Sequence, residues 1–242
     1  MKISRAFTML ELVMVIVIVG IISVMIAPNF QGNNLRQAAD QVVSHIRYTQ
    51  HLAMMDNKFN NTDRQWFKDR WQISFGRALG GNDIWPYTIF SDRSNRDRNA
   101  NLTNEIARNP LNPGVLNNVG QMIADSGYYL SGGANGVLNF GDSRITTSMQ
   151  LNEEYGVQRV LFSDTCTNNQ GINQSRRVIF DSVGRPYWTY ATQAVNPLDS
   201  NPYEDMTLLE NQCRIALCLD VNCNDGNITI AVEPETGYTH IL

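Results

Sequence analysis

The sequence predicts an α+β fold in which one long N-terminal helix packs on an antiparallel β-sheet head. Three observations predict it: an almost unbroken apolar run near the start, an amphipathic stretch of helical period after it, and short strand-like segments between turns in the remainder. With 242 residues, 43% of them hydrophobic and 17% charged, the chain is long and apolar enough to bury a core in one or two domains.

The first predicted element is a membrane-spanning helix over residues 7–28. Residues 12–27 contain Ser23 as their only polar side chain. Counted from Phe7 to Ala27, the run has 21 residues, or about 31 Å of helix, which matches the core of a bilayer. Lys2 and Arg5 precede it, so the positive-inside rule predicts a single pass with the N-terminus in the cytoplasm.

A cleaved secretory signal and a buried core helix are the alternatives for this run. A signal would end in a small-x-small cleavage site, whereas here bulky Met25 occupies the first small position and Pro28 follows the candidate bond. A core helix in a small protein would show a polar face, and this run is apolar on every side. Both alternatives are therefore disfavoured.

Glu11 is the exception inside the run. A carboxylate in such a segment costs on the order of 2 kcal/mol and is normally kept only when it is paired. The next cationic side chain in the helix is Arg36, so the partner must come from another chain or from a chain terminus. If residues 1–6 were removed, the new amine of Phe7 would lie about 6 Å along the helix from Glu11, where one subunit's amine can neutralise its neighbour's carboxylate.

Residues 5–12, Arg-Ala-Phe-Thr-Met-Leu-Glu-Leu, followed by Val and Ile repeats, resemble the N-terminal motif of type IV pilins and type II secretion pseudopilins. The resemblance implies that a prepilin peptidase removes the leader 1–6 between Ala6 and Phe7, that Phe7 is N-methylated, and that Glu11 acts in assembly. Most of the family has Gly where this chain has Ala6. Pro28 stands where many pilins have a proline that kinks the helix.

Residues 29–58 are predicted to form the amphipathic second half of the same helix. Apolar side chains recur at three- and four-residue steps from Leu35 to Ala53, and charged side chains take the other faces. The stretch from Leu35 to Met54 resembles the corresponding half-helix of H-type minor pseudopilins.

Residues 59–242 are predicted to form a β-rich periplasmic head with a loop-rich insertion at about 76–135. Hairpin turns are expected at 181–184 and 222–226. The predicted strands are Trp71 to Phe75, Tyr87 to Phe90, Gly136 to Phe140, Gln158 to Phe162, Arg177 to Asp181, Pro186 to Tyr190, Arg214 to Leu219, Asn227 to Val232 and Tyr238 to Leu242.

Four cysteines, all in the predicted head, indicate disulfide bonds in an oxidising compartment. The alternative, a zinc site, is disfavoured because Cys-x4-Cys-x4-Cys lacks the usual paired spacing. Three pairings are possible. We predict Cys166 with Cys213, and Cys218 with Cys223, since the second bond would staple the turn at 222–226.

The same turn carries oxygen ligands at nearly alternate positions, as a calcium loop would: Asp220, Asn222, Asn224 and Asp225. Its glycine comes one place late, however, and no glutamate follows at the twelfth position. A plain hairpin turn is the favoured interpretation, and no metal or other cofactor is predicted.

Composition and motifs argue against an enzyme and against a nucleic-acid partner. The net charge of -4 offers no basic excess for a phosphate backbone. The three histidines, His45, His51 and His240, form no pair at a spacing that suggests a nucleophile and its base, and no phosphate-binding glycine motif occurs.

The predicted function is that of a non-enzymatic structural subunit in the bacterial inner membrane, with its head in the periplasm and possible incorporation into a fibre. The resemblance implies a minor pseudopilin of a type II secretion pseudopilus. The alternatives are a minor pilin or surface adhesion module of a type IV pilus and, more distantly, a membrane-anchored periplasmic enzyme. The expected partners are other pilin-like subunits, in a homo- or hetero-oligomeric fibre, the prepilin peptidase and inner-membrane lipid.

Overall fold

The computed structural model describes residues 8–26, 29–76, 85–114, 119, 128–134, 136–167, 176–190, 206–224 and 226–242. Its α-helices are α1 (Met9–Ile26), α2 (Asn29–Met55) and α3 (Leu151–Tyr155). Its strands are β1 (Trp71–Phe75), β2 (Tyr87–Ser91), β3 (Arg159–Phe162), β4 (Arg177–Phe180), β5 (Pro186–Tyr190), β6 (Met206–Leu208), β7 (Cys213–Cys218), β8 (Asn227–Val232) and β9 (Thr239–Ile241). Short 3₁₀ turns occur at Trp66–Asp69, Thr103–Glu105 and Thr147–Met149.

The prediction of one long N-terminal helix is wrong. One helix ends at Ile26 and a second begins at Asn29. Pro28, between them in the sequence, has no amide hydrogen to donate and disfavours the helical conformation of the residue before it. Ala27 and Pro28 themselves lie outside the described residues.

The membrane-spanning first half, residues 7–28, is also not found. Within the residues that the structure describes, no helix combines the length and the apolar character needed to cross a membrane.

The predicted single sheet is in fact two antiparallel sheets. One has the strand order β2–β1–β4–β5–β6 and the other the order β3–β7–β8–β9. Their registers include Trp71 opposite Ser91 in the first sheet and Cys218 opposite Asn227 in the second. The prediction failed because the alternation of apolar and polar residues along a strand shows which face of that strand is buried. It does not show which other strand it pairs with.

The amphipathic period of α2 is confirmed, and it places the helix against both sheets. Gln50 Nε2 donates to the carbonyl oxygens of Gly184 (2.9 Å) and Thr236 (2.8 Å), which lie in turns of the first and second sheet respectively. Arg47 adds a bond of 2.7 Å to the carbonyl of Thr239. The buried apolar side chains that the structure describes in this helix are those of Leu35, Ala38, Ala39, Val42, Val43, Ile46 and Ala53.

The predicted hairpin turn at 181–184 connects β4 to β5 as expected. The buried carboxylate of Asp181 accepts hydrogen bonds from the amides of Val183 (3.1 Å) and Arg185 (2.8 Å). Gly184 has a φ of 86°, and a Cβ there would come within 3.0 Å of the Gln50 amide. The left-handed backbone thus favours glycine, and any other residue would also displace the Gln50 side chain.

The predicted insertion at 76–135 is loop-rich where it is described, but β2, which falls within it, belongs to the first sheet. The carboxylate of Glu105 orders the loop after β2 by accepting the amides of Arg93 (2.7 Å), Ser94 (2.6 Å) and Leu102 (3.0 Å). These charge-assisted hydrogen bonds take the place of the backbone hydrogen bonds of a regular β-ladder. The loops enclose a small second core of Phe90, Ala100, Ile106, Tyr129, Leu138 and Ile145.

Candidate functional site

The helix α1 exposes every side chain that the structure describes in it. The exposed fraction of its large apolar side chains runs from 49% at Ile18 to 84% at Met9. They lie on all sides of the helix, so turning it cannot hide them against the head. Soluble monomers rarely leave so large an apolar surface in contact with water, and such surfaces mark interaction sites. We take α1 as the candidate assembly site.

Glu11 lies at the N-terminal end of this surface and forms a reciprocal cap with Thr8. The Glu11 amide donates to Thr8 Oγ1, and the Thr8 amide donates to Glu11 Oε2, both at 3.3 Å. This arrangement satisfies two amides that the helix leaves open at its start, and the carboxylate also interacts favourably with the helix dipole. None of the ion pairs between described residues involves Glu11.

Ala6 and Phe7, predicted to act in processing, and Pro28, predicted to kink the helix, lie outside the described residues. Cleavage between Ala6 and Phe7, and methylation of Phe7, stay predictions.

The disulfide prediction is confirmed, including its pairing. Cys166 is bonded to Cys213, with Cα atoms 5.4 Å apart, and Cys218 to Cys223, with Cα atoms 5.1 Å apart. The first bond ties the segment after β3 to the start of β7, and the second closes the turn between β7 and β8. All four sulfur atoms are used in this way, which leaves no thiolate for zinc.

Three of the weak calcium candidates, Asp220, Asn222 and Asn224, lie in a turn that a side-chain hydrogen bond stabilises. Asp220 Oδ1 accepts the amide of Asn222 at 2.7 Å, and the strands on either side pair as a hairpin. Asn224 is exposed, and Asp225 lies outside the described residues. In the part of the chain that the structure describes, no group of three or more His, Cys, Asp or Glu side chains is placed to hold a metal ion.

A polar network beneath α2 was not predicted. Gln41 Nε2 donates to Tyr87 Oη (2.8 Å) and to the carbonyl of Ser148 (2.7 Å), while Gln41 Oε1 accepts from the hydroxyl of Tyr155 (2.8 Å). Tyr87 Oη also lies 2.8 Å from Nδ1 of His45. The signal that could have revealed the network is the pair of polar residues, Gln41 and His45, spaced four apart beside the apolar stripe of α2.

The network favours one tautomer of His45. Because Gln41 donates to the Tyr87 oxygen, the Tyr87 hydroxyl hydrogen is left to donate to His45 Nδ1, and we assign the ring proton to Nε2. Burial lowers the pKa of His45 to about 4 and raises that of the fully buried Tyr87. Both groups are therefore neutral near pH 7, and together they orient α2 on the first sheet.

This network predicts a pH-dependent stability. Between pH 6.5 and about 4 the unfolded chain protonates His45 and the folded chain does not, so the free energy of unfolding should fall as the pH is lowered through this window. We expect a loss on the order of 2 kcal/mol. His45→Gln keeps an acceptor for Tyr87 and should remove this component, as measured by denaturant unfolding at several pH values.

The matched control is His51→Gln, an exposed histidine on the same helix. Its pH dependence should follow that of the wild type. Identical pH profiles for the wild type and His45→Gln would contradict the assignment of a half-buried His45 that stays neutral in the folded chain.

Comparison of this chain with protein-family models, with curated proteins and with solved structures finds no match to any of them.

Proposed function

We propose that this chain is a non-enzymatic structural subunit of a bacterial fibre of pilin-like proteins, most like a minor pseudopilin of the type II secretion pseudopilus. The observation that carries the proposal is the exposure of α1, an apolar helix whose described side chains are all in contact with solvent in the single chain. A surface of this kind is stable only when other apolar helices or lipid cover it. Covering α1 with the α1 helices of neighbouring subunits is the function that this surface supports best.

The disulfide bonds support a head that folds outside the cytoplasm. Disulfides persist in oxidising compartments such as the periplasm and are rare where thiols are kept reduced. We accordingly place the head in the periplasm and the N-terminal segment at the inner membrane, from which the subunit enters the fibre. The other partners in this proposal are the prepilin peptidase and inner-membrane lipid.

The position of Glu11 supports a specific contact between subunits. Its carboxylate is the only charge on the described part of α1, and its partners there are the amide and hydroxyl of Thr8. When neighbouring helices cover α1, this charge leaves water and needs a cation. In the proposed fibre the cation is the amine of Phe7 from an adjacent subunit, created by removal of residues 1–6.

Processing at Ala6–Phe7 tests the proposal directly. Mass spectrometry of the protein from the native membrane should show a chain that begins at N-methyl-Phe7. Ala6→Leu should block the cut, because the peptidase accepts a small residue before the bond, whereas Ala27→Leu should have no effect on it.

An intact Met1, or a chain that begins after Ala27, would contradict the proposal. Deletion of the gene then separates the two fibre types. Loss of protein secretion with surface fibres intact supports the pseudopilin, and loss of surface fibres alone supports the minor pilin.

A further inference from the structure

A recess of about 640 Å³ opens on the head, none of the residues that line it belongs to α1, and the function proposed above makes no use of it. Its volume lies within the range of small-ligand sites, which is about 300–1,000 Å³. The walls come from segments that are distant in sequence. Among the side chains that line it are those of Tyr128, Phe140, Ser143, Thr147, Ser148 and Glu153.

Two aromatic rings contribute to the lining and remain partly exposed. Tyr128 is 42% and Phe140 47% exposed. The face of an aromatic ring carries partial negative charge and attracts the weakly positive hydrogens of C–H bonds. Two such rings in one recess form platforms for a ligand with flat, C–H-bearing faces.

Most of the remaining lining residues are polar and carry hydroxyl, amide or carboxylate groups, with Asn109 and Gln150 providing the amides. Ser143, Thr147 and Ser148 each provide a hydroxyl that donates one hydrogen bond and accepts others, and Glu153 provides an acceptor. Ile145, the other apolar side chain of the lining, is buried. A ligand here must offer many hydrogen-bonding groups as well as apolar faces.

The wall that carries these hydroxyls is preorganised. The carboxylate of Asp142 accepts the backbone amide of Arg144 at 2.9 Å and its guanidinium at 2.9 and 2.7 Å. These hydrogen bonds lower the pKa of Asp142 to about 2, so the turn stays paired at any pH that a cell meets. The residues after this turn are also held by hydrogen bonds, since the amide of Thr146 donates to the carbonyl of Ser131 at 3.0 Å. Little ordering is left to occur when a ligand binds.

Charge narrows the class of ligand. The described lining contains the carboxylates of Asp142 and Glu153 and neither Lys nor Arg, which disfavours phosphate, sulfate and other anions. A metal ion is disfavoured because no group of three His, Cys, Asp or Glu among the described residues can hold one. A neutral, hydroxyl-rich molecule with C–H faces meets both conditions.

We propose that this recess binds a neutral oligosaccharide, with sugar rings stacked on Phe140 and Tyr128 and sugar hydroxyls bonded to Ser143, Thr147 and Glu153. A sugar ring has one or two faces of C–H bonds and a rim of hydroxyls, which is the pattern that the lining complements. The proposal goes beyond a role in fibre assembly and does not depend on it, since none of these residues belongs to α1 or α2.

Isothermal titration of the full chain tests the proposal, in a detergent without a sugar headgroup. The probes are four neutral sugars: cellotetraose, maltotetraose, xylotetraose and fully N-acetylated chitotetraose. At least one should bind with a stoichiometry of one per chain. Phe140→Ala and Tyr128→Ala should each weaken that binding about tenfold, because each removes one stacking face. Ser143→Ala should weaken it less.

The matched control is Phe59→Ala, the same substitution at an exposed phenylalanine outside the recess. It should leave binding unchanged, and thermal unfolding should confirm that every variant is folded. The proposal is overturned if none of the four sugars binds at millimolar concentration, or if Phe140→Ala and Tyr128→Ala bind as the wild type does. Binding of tetra-alanine in the recess in place of the sugars would also overturn it and indicate a peptide site.

Discussion

Replacing both Cys166 and Cys213 by alanine is expected to lower the free energy of unfolding by about 4 kcal/mol at 25 °C. The two cysteines are 47 residues apart, so their bond removes a large amount of chain entropy from the unfolded state. Both side chains are also fully buried in the main core, so the substitution leaves a small gap in addition. A loss of this size is a large part of the stability of an ordinary domain.

The second disulfide provides the matched control. Cys218 and Cys223 are only 5 residues apart, and replacing both by alanine should cost about 2 kcal/mol on the same entropic argument. Denaturant unfolding followed by tryptophan fluorescence measures the two losses. Alkylation of the wild type without reductant should label no thiol. Four labelled thiols, or a larger loss for the short loop than for the long one, would contradict the expectation.

Glu11→Gln is expected to weaken association between subunits about a hundredfold. In the proposed fibre the Glu11 carboxylate faces a neighbour's Phe7 amine among apolar helices. Removing one partner leaves the other charge buried and uncompensated, at a cost on the order of 3 kcal/mol. The single chain should be little affected, because the amide oxygen of glutamine can still accept the Thr8 bonds that the carboxylate accepts at 3.3 Å.

A photo-crosslinking residue at Val15, an exposed position of α1, measures this association in cell membranes. Glu11→Asp, which keeps the charge on a shorter side chain, should retain more cross-linking than Glu11→Gln. Mass spectrometry of the same samples checks that processing is intact, so that loss of cross-linking reports assembly. Equal cross-linking by the wild type and Glu11→Gln would show that Glu11 does not pair between subunits.

The strands show how much of the secondary structure local sequence patterns can predict. The bounds predicted for β1, β5 and β8 agree with the structure, because each is a run of apolar and β-branched residues closed by turn residues. Residues 136–140 are not a strand. Gly136 has a φ of 145° and lies so close to the carbonyl of Ala100 that a Cβ would not fit. β6, Met206–Leu208, was missed because three residues are too few to show alternation.

The prediction of a single N-terminal helix was wrong for a different reason. Hydropathy and period identified the apolar character of α1 and the buried face of α2 correctly, but neither property changes enough at Pro28 to mark an end. The proline was read as a bend in one helix, whereas the structure has two. Errors of this kind arise because a hydropathy pattern shows which face of a helix is apolar but says little about whether the helix is continuous.

The candidate sites also differ in how much of each could be recognised from the sequence. Glu11 and the cysteines stood out in the sequence because a charge inside an apolar run and an oxidisable side chain are unusual wherever they occur. The recess was not found, because Tyr128, Phe140 and Glu153 are ordinary residues that only the folded loops bring together. Pairing in the loops is set by contacts between segments far apart in the chain, such as the bridge between Arg108 and Tyr129.

The bonds of Gln50 to Gly184 and Thr236 have a mechanical consequence. Because one amide group holds turns of both sheets, tension applied along α2 is shared between the two sheets and does not peel strands from one of them in sequence. Gln41 and Arg47 add hydrogen bonds from the same helix to Tyr87 of the first sheet and Thr239 of the second, so the load enters both sheets at several points along α2. Rupture therefore requires contacts on both sheets to break together, which makes the head resistant to pulling from its N-terminal side.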